Sequence, residues 1–257
     1  MVTSRDETEI WIYDIAVVSP SRLLVSDYTN HALRLVDSVN GGVLSQVSLP
    51  GLPCRVCLLG GGGAAVVLNW VKKIQCVRIN GDKLSLDRSI DVKECPVGIS
   101  AFDSGNIVVS YNNPGRVEMM TMGGRVIDAV DNQKAGKQLF KYPYYITSNN
   151  DDIFVSDWGT GTITQMDRSL QITQIFTSFL LTSPYGIVSV GTDQLLVANR
   201  ASHSIVVLNP TNGSVMPLLG QADGIQKPRA VAWCPASKKL YVGRACRQPA
   251  VSVFCLK

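Results

Sequence analysis

One short segment recurs along the whole chain. Ile153-Phe154-Val155-Ser156-Asp157-Trp158 is an apolar run that ends in a polar residue and a turn. Variants of it are Leu24-Val25-Ser26-Asp27, Val67-Leu68-Asn69, Val109-Ser110-Tyr111, Leu196-Val197-Ala198-Asn199 and Tyr241-Val242-Gly243-Arg244. The anchor residues Asp27, Asn69, Tyr111, Asp157, Asn199 and Arg244 are spaced 42, 42, 46, 42 and 45 residues apart. Repetition at a near-constant period limits a chain to stacked or ring-like architectures. A period of this length suits the four short strands of a propeller blade.

A second marker keeps the same period. A proline lies 14 to 16 residues before each of the last five anchors: Pro53, Pro96, Pro143, Pro184 and Pro228. Ile12 takes that place in the first repeat. Proline is tolerated at the first residue of a strand, where its missing N–H need not break a ladder. Runs of Val, Ile, Leu and Thr follow, separated by Gly, Asn, Asp and Pro, with no helical periodicity. In the fourth repeat the expected strands are 144–148, 152–157, 162–167 and 171–176. Inner strands such as Ala64-Ala65-Val66-Val67-Leu68 are apolar throughout, as a strand covered on both faces requires.

The expected fold is therefore all-β, a single six-bladed propeller of four-stranded antiparallel blades over residues 1–257. The blades fall at about 13–49, 53–92, 96–131, 143–178, 184–220 and 228–257. Too few residues follow Phe254 for a fourth strand in the last blade, so residues 1–12 are expected to help close it.

A composition of 46% apolar and 17% charged residues supports a large core. No apolar run approaches the roughly 18 residues that would span a membrane, and the first residues are polar rather than a secretory leader. The seven cysteines form no pairwise framework. Cys54 and Cys57 are three apart on an expected strand and so point to opposite faces. Buried, reduced thiols and a cytoplasmic protein are the expectation.

Asp27-Tyr28-Thr29-Asn30-His31-Ala32-Leu33 and Asn199-Arg200-Ala201-Ser202-His203-Ser204-Ile205 place the two histidines of the chain four residues after their anchors. With Asn30-His31-Ala32-Leu33, the chain resembles the NHL repeat family, named for such a run. Lys73, Gly115, Gly161 and Gln248 stand at the histidine position in the other repeats. The resemblance implies a six-bladed propeller of the kind that closes TRIM-type ubiquitin ligases, binding RNA in some members and proteins in others. His31 and His203 are expected to bridge neighbouring strands.

Some six-bladed propellers, resembling gluconolactonases, hold a divalent metal with Asn, Asp and Glu next to the blade-opening proline. Here those positions are Tyr13, Cys54, Val97, Tyr144, Tyr185 and Arg229, none of them a hard oxygen ligand. No metal, no cofactor and no catalysis by this chain are expected, and Asp27, Asn69, Asp157 and Asn199 read as turn caps. RING and B-box zinc ligands are absent from these residues, so ligase activity would reside elsewhere in a parent protein.

Charge is expected to be one-sided. Loops entering the first strand and leaving the second share one end of the ring, here the top. They carry Arg55, Lys72, Lys73, Lys93, Arg116, Lys134, Lys137, Lys141, Arg200, Lys227, Arg229, Arg244 and Arg247. Only Asp14, Asp27, Asp91, Glu94, Asp131, Asp157 and Asp223 oppose them. The bottom is close to balanced. Tyr28, Trp70, Tyr144, Trp158 and Tyr185 stand among the top cations, and planar rings between cations suit single-stranded nucleic acid. RNA binding by a monomeric propeller, away from membranes, is the first expectation. Recruitment of a protein substrate through the same face is the second.

Overall fold

The computed structural model describes residues 10–103, 105–149, 151–244 and 251–256. Six antiparallel sheets follow one another along the chain. Blade one is β1 (Ile12–Ser19), β2 (Arg22–Asp27), β3 (Ala32–Asp37) and β4 (Val43–Ser48). Blade two is β5 (Pro53–Leu59), β6 (Gly63–Leu68), β7 (Lys73–Asn80) and β8 (Lys83–Asp91). Blade three is β9 (Pro96–Ala101), β10 (Asn106–Asn112), β11 (Gly115–Thr121) and β12 (Val126–Asp131). Blade four is β13 (Pro143–Ser148), β14 (Ile153–Asp157), β15 (Thr162–Met166) and β16 (Ile172–Phe176). Blade five is β17 (Pro184–Val190), β18 (Gln194–Asn199), β19 (Ser204–Leu208) and β20 (Val215–Leu219). Blade six holds β21 (Pro228–Cys234), β22 (Lys239–Arg244) and β23 (Val251–Cys255) among the described residues. The protein is an all-β, six-bladed propeller, and every blade-opening proline is the first residue of its inner strand.

Burial follows the repeat. Ala64 to Leu68 are fully buried, because β6 lies between the sheets of two neighbouring blades. Outer strands are the most exposed: β4 alternates half-buried with exposed residues, and β8 buries only Leu84 and Ile90. The ring closes by apolar packing. Ile10, Ile12 and Ile15 of blade one meet Ala230, Ala232, Cys234 and Tyr241 of blade six. The expectation that residues 1–12 complete blade six falls largely on residues 1–9, which lie outside the described residues.

Two devices join blade to blade. The serine before the anchor reaches the next inner strand: the hydroxyls of Ser26, Ser110 and Ser156 donate to the carbonyls of Cys54, Pro143 and Tyr185. Glycine on the inner strand lets backbones approach. A Cβ on Gly186 would sit 2.6 Å from the Arg229 carbonyl oxygen and 3.0 Å from the Val231 nitrogen.

The aspartate anchors Asp27 and Asp157 behave as caps, whereas Asn69 donates instead to the Pro96 carbonyl at 2.9 Å and the buried Asn199 side chain finds no partner among the described groups. Asp27 accepts from the backbone nitrogens of Asn30 and Trp11 and pairs with the buried Arg34 at 3.0 Å. His203 bridges as expected: its Nδ1 accepts from the Lys227 nitrogen at 3.3 Å. At His31 the bridge is instead the backbone carbonyl, which accepts from Leu49. Cys54, Cys76 and Cys234 are buried, but Cys255 is exposed, because β23 is the outermost described strand of its blade. Burial pushes the Cys57 thiol up to about 12 and raises those of Cys54 and Cys76, which leaves them poor nucleophiles. Cys246 lies outside the described residues.

Candidate functional site

The top mouth of the ring is lined by an unbroken string of rings and cations. It starts at Trp11, tilted on Tyr28 at 5.6 Å, and Tyr28 stacks on Tyr13 at 5.1 Å. The Arg55 guanidinium lies 4.5 Å from the Tyr13 ring, 5.3 Å from Tyr144 and 3.3 Å from Tyr145. Tyr144 meets Tyr185 at 5.7 Å, and Tyr185 stacks on Trp158 at 5.9 Å. Trp158 stacks in turn on Tyr142 at 4.5 Å, nearly parallel. Arg200 covers Tyr185 at 5.4 Å, Arg229 covers Tyr13 at 3.5 Å and Lys141 lies 6.0 Å from the Tyr142 ring.

Repeat geometry produces this string. Tyr13, Tyr144 and Tyr185 each follow the blade-opening residue, so they rise at the same height around the channel. Tyr28 and Trp158 each follow an anchor. The carboxylate of Asp157 holds the strap before β13 by accepting from the nitrogens of Lys141 and Tyr142, which seats Tyr142 on Trp158.

The expected contact residues divide into three groups. Trp70 is 72% exposed on the rim, with exposed Lys72 two residues on, and Lys141 is also exposed. Tyr28, Tyr144, Trp158 and Arg200 are half-buried members of the string. Arg55, Tyr185 and Arg229 are buried, and this corrects their assignment to the surface. The inner strands turn them into the channel and beneath the neighbouring rings, so none offers a face or a charge to an outside ligand. Lys73 pairs with Asp91 at 2.8 Å and Arg116 with Glu118 at 3.0 Å, so an opposite charge offsets each of them. Arg244 donates to the Gly224 carbonyl and the Ser252 hydroxyl. Arg247 lies outside the described residues.

Asp14 was counted with the top acids. It lies inside the channel instead, 6% exposed, with one oxygen accepting from the Val56 nitrogen at 3.0 Å. Burial pushes its carboxyl up from 3.8 to about 6, with Arg55 pulling against that shift. The folded protein therefore holds this proton through a range where the unfolded chain has released it. The proton favours folding in acid, and its contribution is lost as pH rises through about 6. Between pH 4 and 7.5, Asp14→Asn should gain stability relative to the unsubstituted protein by up to about 3 kcal/mol. Urea unfolding of both proteins at the two pH values checks this, and parallel pH profiles would contradict it.

Tyr13, Tyr142 and Tyr145 were not expected to contribute. The recurrence of tyrosine next to the blade-opening residue was visible in the sequence, but there it served only to argue against a metal. Among the described residues no three His, Cys, Asp or Glu side chains come together. No described helix is long and apolar enough to cross a membrane.

No family model matches this chain, and no curated protein matches it. Solved structures do. A catalytically inactive virginiamycin B lyase from Staphylococcus aureus, with quinupristin, superposes with a TM-score of 0.72 at 14% identity over 99% of this chain and 87% of that one. Kuenenia stuttgartiensis hydrazine synthase gives 0.68 at 13% identity over 100% and 99%. The Swd1 β-propeller domain of Myceliophteria thermophila gives 0.68 at 12% identity over 96% and 84%. Their functions are unrelated to one another, so the likeness establishes the class, a six-bladed β-propeller, and nothing about chemistry.

Proposed function

We propose that this chain is a non-enzymatic, NHL-type recognition propeller that binds single-stranded RNA across its top mouth. The observation that carries the reading is the continuous string from Trp11 to Tyr142, with the exposed Trp70 and Lys72 beside it on the rim. Bases stack on such rings whatever their sequence, and lysines beside them meet the phosphates. With Arg55 and Arg229 buried, Lys72, Lys93, Lys137, Lys141, Arg200 and Lys227 are the cations left to meet phosphates. Affinity should fall with salt at a log–log slope of about −0.7 for each phosphate contact.

Trp70→Ala or Tyr144→Ala should weaken RNA binding about 5- to 150-fold, since a stacked base contributes about 1–3 kcal/mol. Charge reversal at Lys238 and Lys239, on the bottom, should leave it unchanged. Fluorescence anisotropy with a labelled oligonucleotide at about 150 mM salt measures all of these together. Absence of binding, or equal losses from the top and bottom variants, would exclude RNA.

A second reading rests on a different observation. Phe179 is 88% exposed on the strap between blades four and five, on the same face as Trp70. Two exposed aromatics on one rim also suit a protein partner. In a TRIM-type ubiquitin ligase that partner would be the substrate. Loss of a co-purifying protein in Phe179→Ala, without any RNA affinity, would favour this reading.

A further inference from the structure

We propose that the cleft between blades two and three, at the bottom end of the ring, binds a neutral sugar of one or two rings. The site lies on the opposite end from the RNA mouth and does not rest on that reading. It is built around a bulge. The ladder of β7 and β8 runs from Lys73–Asp91 to Gln75–Ser89 and resumes at Val77–Leu86. Asp87 and Arg88 are passed over, set against Cys76 alone. In β4, β12, β16 and β20 the ladder passes over a single residue. A bulge bends its strand and re-aims the side chains it carries. Buried Gln75 fixes this one. Its Nε2 donates to the carbonyls of Cys76 at 2.8 Å and Asp87 at 2.9 Å, and lies 3.2 Å from the Arg88 carbonyl oxygen.

A cavity of about 480 Å³ opens beside the bulge. That volume falls within the roughly 300–1,000 Å³ of ordinary ligand pockets. Most of its surface is polar, and the polar groups come in both signs. Arg78 donates through Nε to one oxygen of Asp87 at 3.1 Å, with the two side chains 72% and 37% exposed. The other Asp87 oxygen and the Arg78 Nη groups make no further bond among the described residues. They offer an acceptor and a donor side by side. Arg88 meets only the Cys76 thiol. Across the cleft, hydrogen bonds from Gly105 and Asn106 hold the Asp103 carboxyl below its usual range, so it too is charged.

This balance selects the ligand. An anion would suit the two guanidiniums but face two carboxylates, and a cation would meet the reverse. An apolar molecule would strip water from all four and return nothing. A hydroxyl both donates and accepts, so adjacent hydroxyls match the Arg78–Asp87 pair. Leu59, Ile79 and Met122 line the same cavity and suit the C–H face of a sugar ring.

Gly60 keeps the entrance clear. A Cβ on Gly60 or Gly61 would meet nothing within 4 Å, so packing does not demand glycine at either. At Gly61 the φ of +68° does. Gly60 has neither reason, and its bare backbone leaves room for a ring.

The test is ligand-observed NMR and calorimetry on the full chain with glucose, galactose, mannose, maltose and lactose. Glucose 6-phosphate and glucosamine serve as the charged comparators. At least one neutral sugar should bind saturably with a dissociation constant of about 1–10 mM, the level open to a polar ligand of about twelve heavy atoms. Its affinity should not change between about 0.05 and 0.5 M salt, because it carries no charge. Both charged comparators should bind more weakly. Gly60→Leu places a side chain in the open space, and should weaken the sugar at least about tenfold with no change in melting temperature. Asp87→Ala should weaken it about tenfold and improve glucose 6-phosphate, since the cleft then carries a net positive charge. Trp70→Ala should leave sugar binding intact, whatever it does to RNA. Failure of all five sugars to bind, tighter binding of either charged comparator by the unsubstituted protein, or full sugar affinity in Gly60→Leu would each overturn the assignment.

Discussion

Replacing Asp157 by alanine is expected to lower the unfolding free energy by about 3–5 kcal/mol. The carboxylate is fully buried. It accepts from the Lys141 nitrogen at 2.6 Å and the Tyr142 nitrogen at 3.0 Å, both on the strap entering blade four. It also accepts from Gly159 at 2.8 Å and Thr160 at 3.1 Å, in the turn leaving β14. One side chain thus ties the entry of the blade to its second turn. Alanine would leave four backbone donors without that acceptor, each costing about 1–3 kcal/mol where water cannot reach. Relaxation of strap and turn keeps the total below the sum. Asp157→Asn keeps one acceptor oxygen and should fall between the two. Urea unfolding measures the change through the midpoint at constant slope. A loss under about 1 kcal/mol would mean that the strap is held by other contacts. The substitution should also blunt the Trp158 fluorescence signature, because Tyr142 stacks on that ring through the same strap.

Gly186→Ala carries the second large effect, a loss of about 3 kcal/mol, with Gly186→Val worse. The added carbon would meet the Arg229 carbonyl oxygen at 2.6 Å, the Val231 nitrogen at 3.0 Å and the Ala230 carbonyl carbon at 3.2 Å. All three are backbone atoms of β21, so relief requires two blades to part. For a chain of this size such a loss corresponds to a fall in melting temperature of roughly 6–12 °C. Gly220→Ala is the control. Its backbone is extended, and a Cβ there meets nothing within 4 Å, so no change is expected. Similar melting temperatures for the two alanine variants would contradict the account of blade spacing.

The sequence by itself determined the architecture. Period and proline phase placed six units. In the fourth, the expected strands 144–148, 152–157, 162–167 and 171–176 correspond to Pro143–Ser148, Ile153–Asp157, Thr162–Met166 and Ile172–Phe176. This was legible because blade strands are local: each pairs with its neighbour in sequence, and burial on two faces demands unbroken apolar runs. Turn capping by Asp27 and Asp157 was legible for the same reason, since the turn donors Asn30, Gly159 and Thr160 lie within a few residues of the cap; the strap donors Trp11, Lys141 and Tyr142 do not.

Only the tertiary structure decided which charged and aromatic side chains reach the surface. Arg55 and Arg229 read as top-face cations, yet both turn inward and are covered by tyrosines. The inner strands carry register shifts between Pro53 and Val56, Pro143 and Tyr145, Pro184 and Ile187, and Pro228 and Ala230. A bulge of this kind changes which side chain faces the channel, and no alternation rule applied along the sequence anticipates it. The packing of such bulged strands around one axis then turns loop-flanking residues into the aromatic string around the buried Arg55. That convergence joins residues more than a hundred positions apart, as when the Tyr145 hydroxyl donates to the Tyr13 carbonyl, and it exists only once the ring has closed.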